Sequence, residues 1–213
     1  MNRLLFIIII CISCTTLKAN NYNNYLQVLN LNGNWKFTIG DNKQYANTNF
    51  DHKSWTDVYV PSSWENQGFP GYDGFAWYRK EFKLSVSNNK AQLTLFLGYI
   101  DDVDEVYFNG VKIGHNGSFP PNYWTAYKAE RRYLIPTELV KHNQTNVIAV
   151  RVYDSQIDGG IIKGPVGIYA SQNALPFVAN FEGYWKFFTG DNPEFSNQNF
   201  DDSKWYDILV PST

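Results

Sequence analysis

The sequence predicts an all-β sandwich, and three observations carry that prediction. Apolar residues recur with a period of two, the apolar runs are rich in aromatic and β-branched residues, and turn residues punctuate the chain at short intervals. In "AWYRKEFKL" (76–84), Trp77, Arg79, Glu81 and Lys83 alternate with Tyr78, Lys80, Phe82 and Leu84. "AQLTLFLG" (91–98) and "NVIAVRVYD" (146–154) read as further strands. "DEVYFNGVKIG" (104–114) reads as a hairpin, because Asn109-Gly110 suits a two-residue type I′ turn. "FPGYDG", "HNGSFPP" and "DGGIIKGP" supply turns. One short stretch, "IPTELVKHN", reads as a helical turn with Thr137 as its N-cap, and "NFDHKSW" as another single turn.

Composition narrows the function. The chain has 213 residues, a formal net charge of -2 and no basic run, which argues against nucleic acid as a partner. Aromatic residues make up 17%, enough for a β-rich core and for rings that stack on sugar faces. Both cysteines, Cys11 and Cys14, fall in the N-terminal leader, so a thiol nucleophile and a cysteine-ligated zinc are excluded from the mature chain.

That leader has the pattern of an export signal. Arg3 supplies a positive start, and the apolar run of residues 4–12 suits a signal peptide and is too short for a membrane span. Leu17-Lys18-Ala19 before Asn20 offers a cleavage site, giving a signal peptide over residues 1–19 and a secreted, periplasmic or cell-surface protein. "CISC" offers a second exit as a lipoprotein box, although Cys11 stands where an aliphatic residue is usual. Membrane attachment is expected only if Cys14 is lipidated.

The chain repeats itself at an offset of 150 residues. Residues 31–63 and 181–213 align without a gap, and about half the positions are identical. Trp35-Lys36-Phe37 matches Trp185-Lys186-Phe187, Phe50-Asp51 matches Phe200-Asp201, and Trp55 matches Trp205. A period of this size reads as a duplicated domain. The expected organisation is a linker at 20–30, a first domain at 31–172, a linker at 173–180 and a truncated second copy at 181–213, too short to close a β domain. Trp35, Phe37, Phe50, Asp51 and Trp55 are expected in the core, with the indole N–H groups paired.

Catalytic patterns are not found. His52, His115 and His142 lie in turn-like contexts without metal-ligand spacing, and there is no Gly-x-Ser-x-Gly elbow. The cluster Asp101, Asp102, Asp104 and Glu105 is read as one strand entering the hairpin, with Asp102 and Asp104 on one face. No cofactor is expected. A structural calcium is left open by the oxygen-rich cluster, which lacks an EF-type loop.

Ligand candidates gather in loops at one end of the sandwich. "WENQGFPGYDGFAWYR" contributes Trp64, Tyr72, Asp73, Phe75, Trp77 and Arg79. "HNGSFPPNYWTAYKAERR" contributes Trp124, and "DSQIDGGI" contributes Asp154 and Asp158. A ring for stacking and a carboxylate for hydroxyls are what sugar recognition requires. Tyr78, Arg79 and Arg151 read equally well as strand residues that tie the fold together.

These motifs, in this order, resemble a known family. "LNGNWKF", "FDHKSWTDVYVPSSWENQG", "YDGFAWYRKEFKL", "LFLGYIDDVDEVYFNGVKIG" and "NVIAVRVYDSQIDGGI" are similar to the N-terminal sugar-binding domain of family 2 glycoside hydrolases, the β-galactosidase and β-glucuronidase group. The same domain occurs inside bacterial sialate O-acetylesterases, which "IDDVDEVYFNGVKIG" and "GGI" especially resemble. The resemblance covers about residues 31–169. It implies a galactose-binding-like jelly roll beside a catalytic domain that supplies the chemistry, so a downstream domain of the same chain is an expected partner. In the relatives an acidic loop residue contacts the substrate sugar, and Asp158 is its nearest match. The expected function is non-catalytic carbohydrate binding or scaffolding. The alternative is an extracellular sensor or structural module of a membrane signalling protein, with no enzyme attached.

Overall fold

The computed structural model describes residues 24–85, 91–172 and 183–210. The expected signal peptide, with Cys11 and Cys14, lies outside them, as does the whole of the expected 173–180 linker. Among the described residues no helix is long and apolar enough to cross a membrane.

Residues 24–172 form two sheets. The smaller has the order β1-β10-β5-β8, from β1 (Tyr25–Asn30), β5 (Leu93–Asp101), β8 (Glu130–Ile135) and β10 (Gly160–Ser171). The larger has the order β3-β2-β4-β9-β6-β7. Its strands are β2 (Gly33–Ile39), β3 (Thr56–Val60), β4 (Gly74–Lys83), β6 (Val103–Phe108), β7 (Val111–Asn116) and β9 (Thr145–Asp154). All the ladder pairings are antiparallel. Neighbours distant in sequence, such as β1 with β10 and β4 with β9, give the crossed connections of a jelly roll.

Residues two apart share a face of a strand. Leu93, Leu95 and Leu97 of β5 therefore meet Ile148, Val150 and Val152 of β9 and Trp35 and Phe37 of β2 in one core. The Trp35 indole N–H donates to the Leu31 carbonyl at 2.8 Å, so this buried polar group is satisfied. Asn109 and Gly110 both have positive φ between β6 and β7, the geometry of a type I′ turn.

The outer face of the larger sheet is covered as well. A strap over residues 40–55, containing a 3₁₀ turn (Lys43–Ala46), folds back across β4. It makes a second small core in which Ala46, Trp77 and Ala149 are buried against Tyr45, Trp55 and Tyr107. Asp51, expected in the core, is instead exposed, and its carboxylate accepts from the Lys53 N–H at 3.1 Å.

Three further expectations change. Residues 25–30 are not a linker, because β1 pairs along β10 and closes the edge of the smaller sheet. Thr137 begins a 3₁₀ turn (Thr137–Leu139) whose cap position is Pro136, without a side-chain cap. Asp101 to Glu105 is not one strand: β5 ends at Asp101 in one sheet and β6 begins at Val103 in the other. The chain crosses between sheets at Asp102, so strand alternation does not run through it.

Beyond residue 182, β11 (Gly183–Phe187) and β12 (Tyr206–Val210) form a separate two-stranded sheet. Trp185 pairs with Ile208 as Trp35 pairs with Val58, and Asn192 caps its turn (Pro193–Ser196) as Asn42 caps the turn at Lys43–Ala46. Phe187 is 45% exposed where Phe37 is fully buried.

Candidate functional site: the rim at the end of β9

The loops after β9, β7 and β3 meet at one end of the sandwich, where β9 ends at Asp154 opposite Gly74. The loop from Asp154 to Gly160 is fixed from below. Asp154 Oδ1 accepts from the Gln156 N–H at 3.1 Å, and the Ser155 N–H and hydroxyl donate to Asp102 Oδ2 at 3.1 and 2.9 Å. Gly159 donates to the Glu65 carboxylate, and its carbonyl accepts from the Trp64 N–H at 3.1 Å. Its Cα lies so close to the Trp64 ring that a Cβ would sit 2.1 Å from it, which only glycine avoids. The anchoring leaves Ile157 and Asp158 pointing outward, both exposed.

A second loop, residues 117–129, lies beside the first. Ser118 and Trp124 exchange backbone hydrogen bonds of 2.9 and 3.0 Å, which pinch its base. The Thr125 hydroxyl donates to Asp102 Oδ1, and the Ala126 N–H donates to the Asp102 carbonyl at 3.1 Å. The buried Arg131 guanidinium donates to the carbonyls of Asp102, Ala126 and Ala129 and to Asp104 Oδ1 at 2.7 Å. Tyr123 and Ser155 bring the two loops together, their hydroxyls 2.9 Å apart. Phe119 lies parallel to Phe75, centroids 5.8 Å apart, with the Arg151 guanidinium 4.1 Å from the first ring and 4.6 Å from the second.

Trp124 stands 74% exposed on this loop. It borders an open groove of about 540 Å³ whose lining includes His115, Asn116, Ser118, Thr125 and Lys128. This pairs a bare aromatic face with hydrogen-bonding groups.

Under the rim lies an acidic centre. Asp101, Asp102 and Asp154 each bring a carboxylate oxygen within 4.8 Å of the others. Burial, then the hydrogen bond and charge of Asp102, pushes Asp101 up to about 7, against the opposing charge of Arg131. Burial acts to raise Asp102 too, but hydrogen bonds from Thr125, Tyr123 and Ser155 hold it down at about 2. Burial, with the charges of Asp102, Asp101 and Asp73, pushes Asp154 up to about 7, although the Gln156 N–H opposes it.

The sequence candidates divide into two groups. Asp73, Trp124 and Asp158 are exposed at the rim, and Phe75 is half-buried beneath Phe119. Trp64, Trp77 and Arg79 are fully buried and are not open to a ligand. Trp64 supports the 154–160 loop and donates its indole N–H to the Tyr72 carbonyl at 3.1 Å. Trp77 and Arg79 lie beneath the strap. Arg79 donates to the carbonyls of Tyr45 and Thr48 and lies 3.2 Å from His52 Nδ1. Tyr72 is half-buried, and its hydroxyl donates to the Phe75 carbonyl at 2.7 Å. Asp154 is buried in the acidic centre. Sequence reasoning missed Phe119 and the meeting of Asp101 and Asp102 with Asp154, a contact between residues about fifty positions apart with no spacing signature.

No protein-family model matches the chain. It is 26% identical over 144 residues to a β-glucuronidase of Formosa agariphila, covering 61% of this chain and 14% of that protein. It is 25% identical over 152 residues to a β-galactosidase of Bacteroides ovatus, covering 65% and 17%. The matches thus span less than a fifth of these curated relatives. Among solved structures, a Bacteroides uniformis β-glucuronidase superposes with a TM-score of 0.55 at 23% identity, over 68% of this chain and 18% of that one. A β-glucuronidase from glycoside hydrolase family 2 superposes with a TM-score of 0.59 at 20% identity, over 77% and 20%. The chain's homologues are thus β-glucuronidases and β-galactosidases, and its sandwich has the fold of the β-sandwich domain found in family 2 glycoside hydrolases.

Proposed function

We propose that the sandwich is a non-catalytic carbohydrate-recognition domain of an exported, family 2 glycosidase-like protein, and that it binds sugar at the rim carrying Trp124 and Asp158. One observation carries this reading: Trp124 is 74% exposed beside a polar-lined groove, while the neighbouring 154–160 loop is pinned by hydrogen bonds to Asp102 and Glu65. An indole face stacked on a pyranose ring excludes water from both apolar faces. Asp158 and Asp73 offer carboxylates to hydroxyl groups at the same end of the sandwich. The β-glucuronidase and β-galactosidase named among the relatives support β-linked galactosides and glucuronides as the first sugars to try. Glycosidic cleavage itself is assigned to a further domain of the parent protein, as in the resemblance that the motifs carry. The apolar leader supports export.

The test is calorimetric titration of the full chain with methyl β-galactoside and methyl β-glucuronide, beside the Trp124→Ala variant. Saturable binding that the variant loses by tenfold or more, with an unchanged melting temperature, is the expected result. Binding unaffected by Trp124→Ala, or no binding to either sugar by the folded chain, overturns the reading.

A further inference from the structure

We propose that Asp101, Asp102 and Asp154 form a calcium site that fastens the sheet crossover to the rim loop. Two independent observations carry this. The first is distance: one carboxylate oxygen from each residue lies within 4.8 Å of the other two. Oxygens bound to one calcium ion at about 2.3–2.6 Å lie at most about 4.6–5.2 Å apart, whereas magnesium at about 2.0–2.1 Å would require them closer. The second is an orphan. Asp154 is fully buried, yet its Oδ2 has no hydrogen-bond partner, while Oδ1 accepts from the Gln156 N–H. A buried carboxylate oxygen without a partner is costly, and a cation answers that cost.

The surroundings fit a cation better than an ion pair. The positive charge that acts on Asp101 is that of Arg131, whose guanidinium is already engaged with Asp104 and three carbonyls. Asp158 and Asp73 add further negative charge at this end. Three carboxylates are hard oxygen ligands of the kind calcium takes, with water free to complete the shell from the side of half-buried Asp101.

The position gives the ion a role. Asp101 ends β5 in one sheet, Asp102 is the crossover residue, and Asp154 ends β9 in the other sheet. Asp102 also holds Ser155 and Thr125, the roots of both rim loops. A cation here would staple the two sheets directly beneath the rim, in a domain without a disulfide of its own.

The experiment uses the full chain, stripped with EDTA and titrated with calcium chloride by calorimetry, with melting curves in calcium, magnesium and EDTA. The Asp154→Asn and Asp101→Asn variants are measured beside it, with Asp51→Asn as an exposed control for net charge. The proposal expects saturable calcium binding with a dissociation constant of about 10⁻⁴–10⁻³ M or tighter. It also expects a higher melting temperature in calcium than in EDTA, and weaker binding of magnesium. Both site variants should lose the calcium response while Asp51→Asn keeps it. Because each amide removes a like charge, the site variants should melt no lower than the parent in EDTA, so misfolding does not mask the result. If Asp154→Asn fails to fold, Asp101→Asn decides alone. No calcium heat up to about 10 mM, a response that survives in the folded site variants, or equal binding of magnesium overturns the proposal.

Discussion

Arg151 and Asp41, 110 positions apart in sequence, form a two-pronged ion pair in which Nε donates to Oδ1 at 2.7 Å and Nη2 donates to Oδ2. The pair binds the strap to β9, and the same guanidinium lies against the rings of Phe75 and Phe119. One side chain thus joins the outer covering of the sheet to the base of the rim. Lysine cannot make the paired contact or lie flat on two rings. Arg151→Lys should lower unfolding free energy by about 1–3 kcal/mol, measured by urea denaturation.

Glu105 gives the fold an acid sensitivity. Burial acts to raise its carboxyl, but Lys43 and Lys112 more than reverse this and hold it down at about 2. A carboxyl depressed in the folded state contributes stability above its unfolded value, near 4.5, and loses that contribution as pH falls toward 2. That depression corresponds to at most about 3 kcal/mol, and solvent screening at this partly exposed group reduces the contribution to on the order of 2 kcal/mol. Melting temperature should therefore drop between about pH 4.5 and pH 2, and Glu105→Gln should flatten that part of the profile.

The Asp104–Arg131 pair is fully buried on both sides, and the Tyr133 hydroxyl also donates to Asp104. Removing one partner leaves the other charge without water or counter-ion. Asp104→Ala should lower stability by about 3–5 kcal/mol, measured by chemical denaturation.

Trp77 separates the two jobs of aromatic residues in this chain. It is buried beneath the strap, with its indole N–H 3.3 Å from Asp41 Oδ1. Trp77→Ala should lower stability by about 3–5 kcal/mol. At a temperature where the variant remains folded, sugar affinity should match that of the parent.

Local pattern carried much of the fold. The period of two marks β4, β5 and β9, and Asn109-Gly110 marks the β6–β7 turn because both residues must adopt positive φ. The site was legible only in part. Alternation set Trp77 and Arg79 on the face of β4 opposite Tyr78 and Phe82, but nothing local shows that residues 40–55 fold back to cover that face. Asp101 to Glu105 reads as one strand because the change of sheet at Asp102 is a tertiary event without a local signature. Trp124, which the sequence places in a long loop, is exposed in the structure.

The central claim is that sugar meets Trp124 at the rim. The most direct measurement is the ¹H–¹⁵N spectrum of the seven indole N–H groups during titration of the full chain with methyl β-galactoside or methyl β-glucuronide. The account predicts a saturable shift of the Trp124 indole, with the buried indoles of Trp35, Trp64 and Trp77 unmoved. A spectrum in which Trp124 stays still at saturating sugar, or in which a buried indole moves instead, would contradict it.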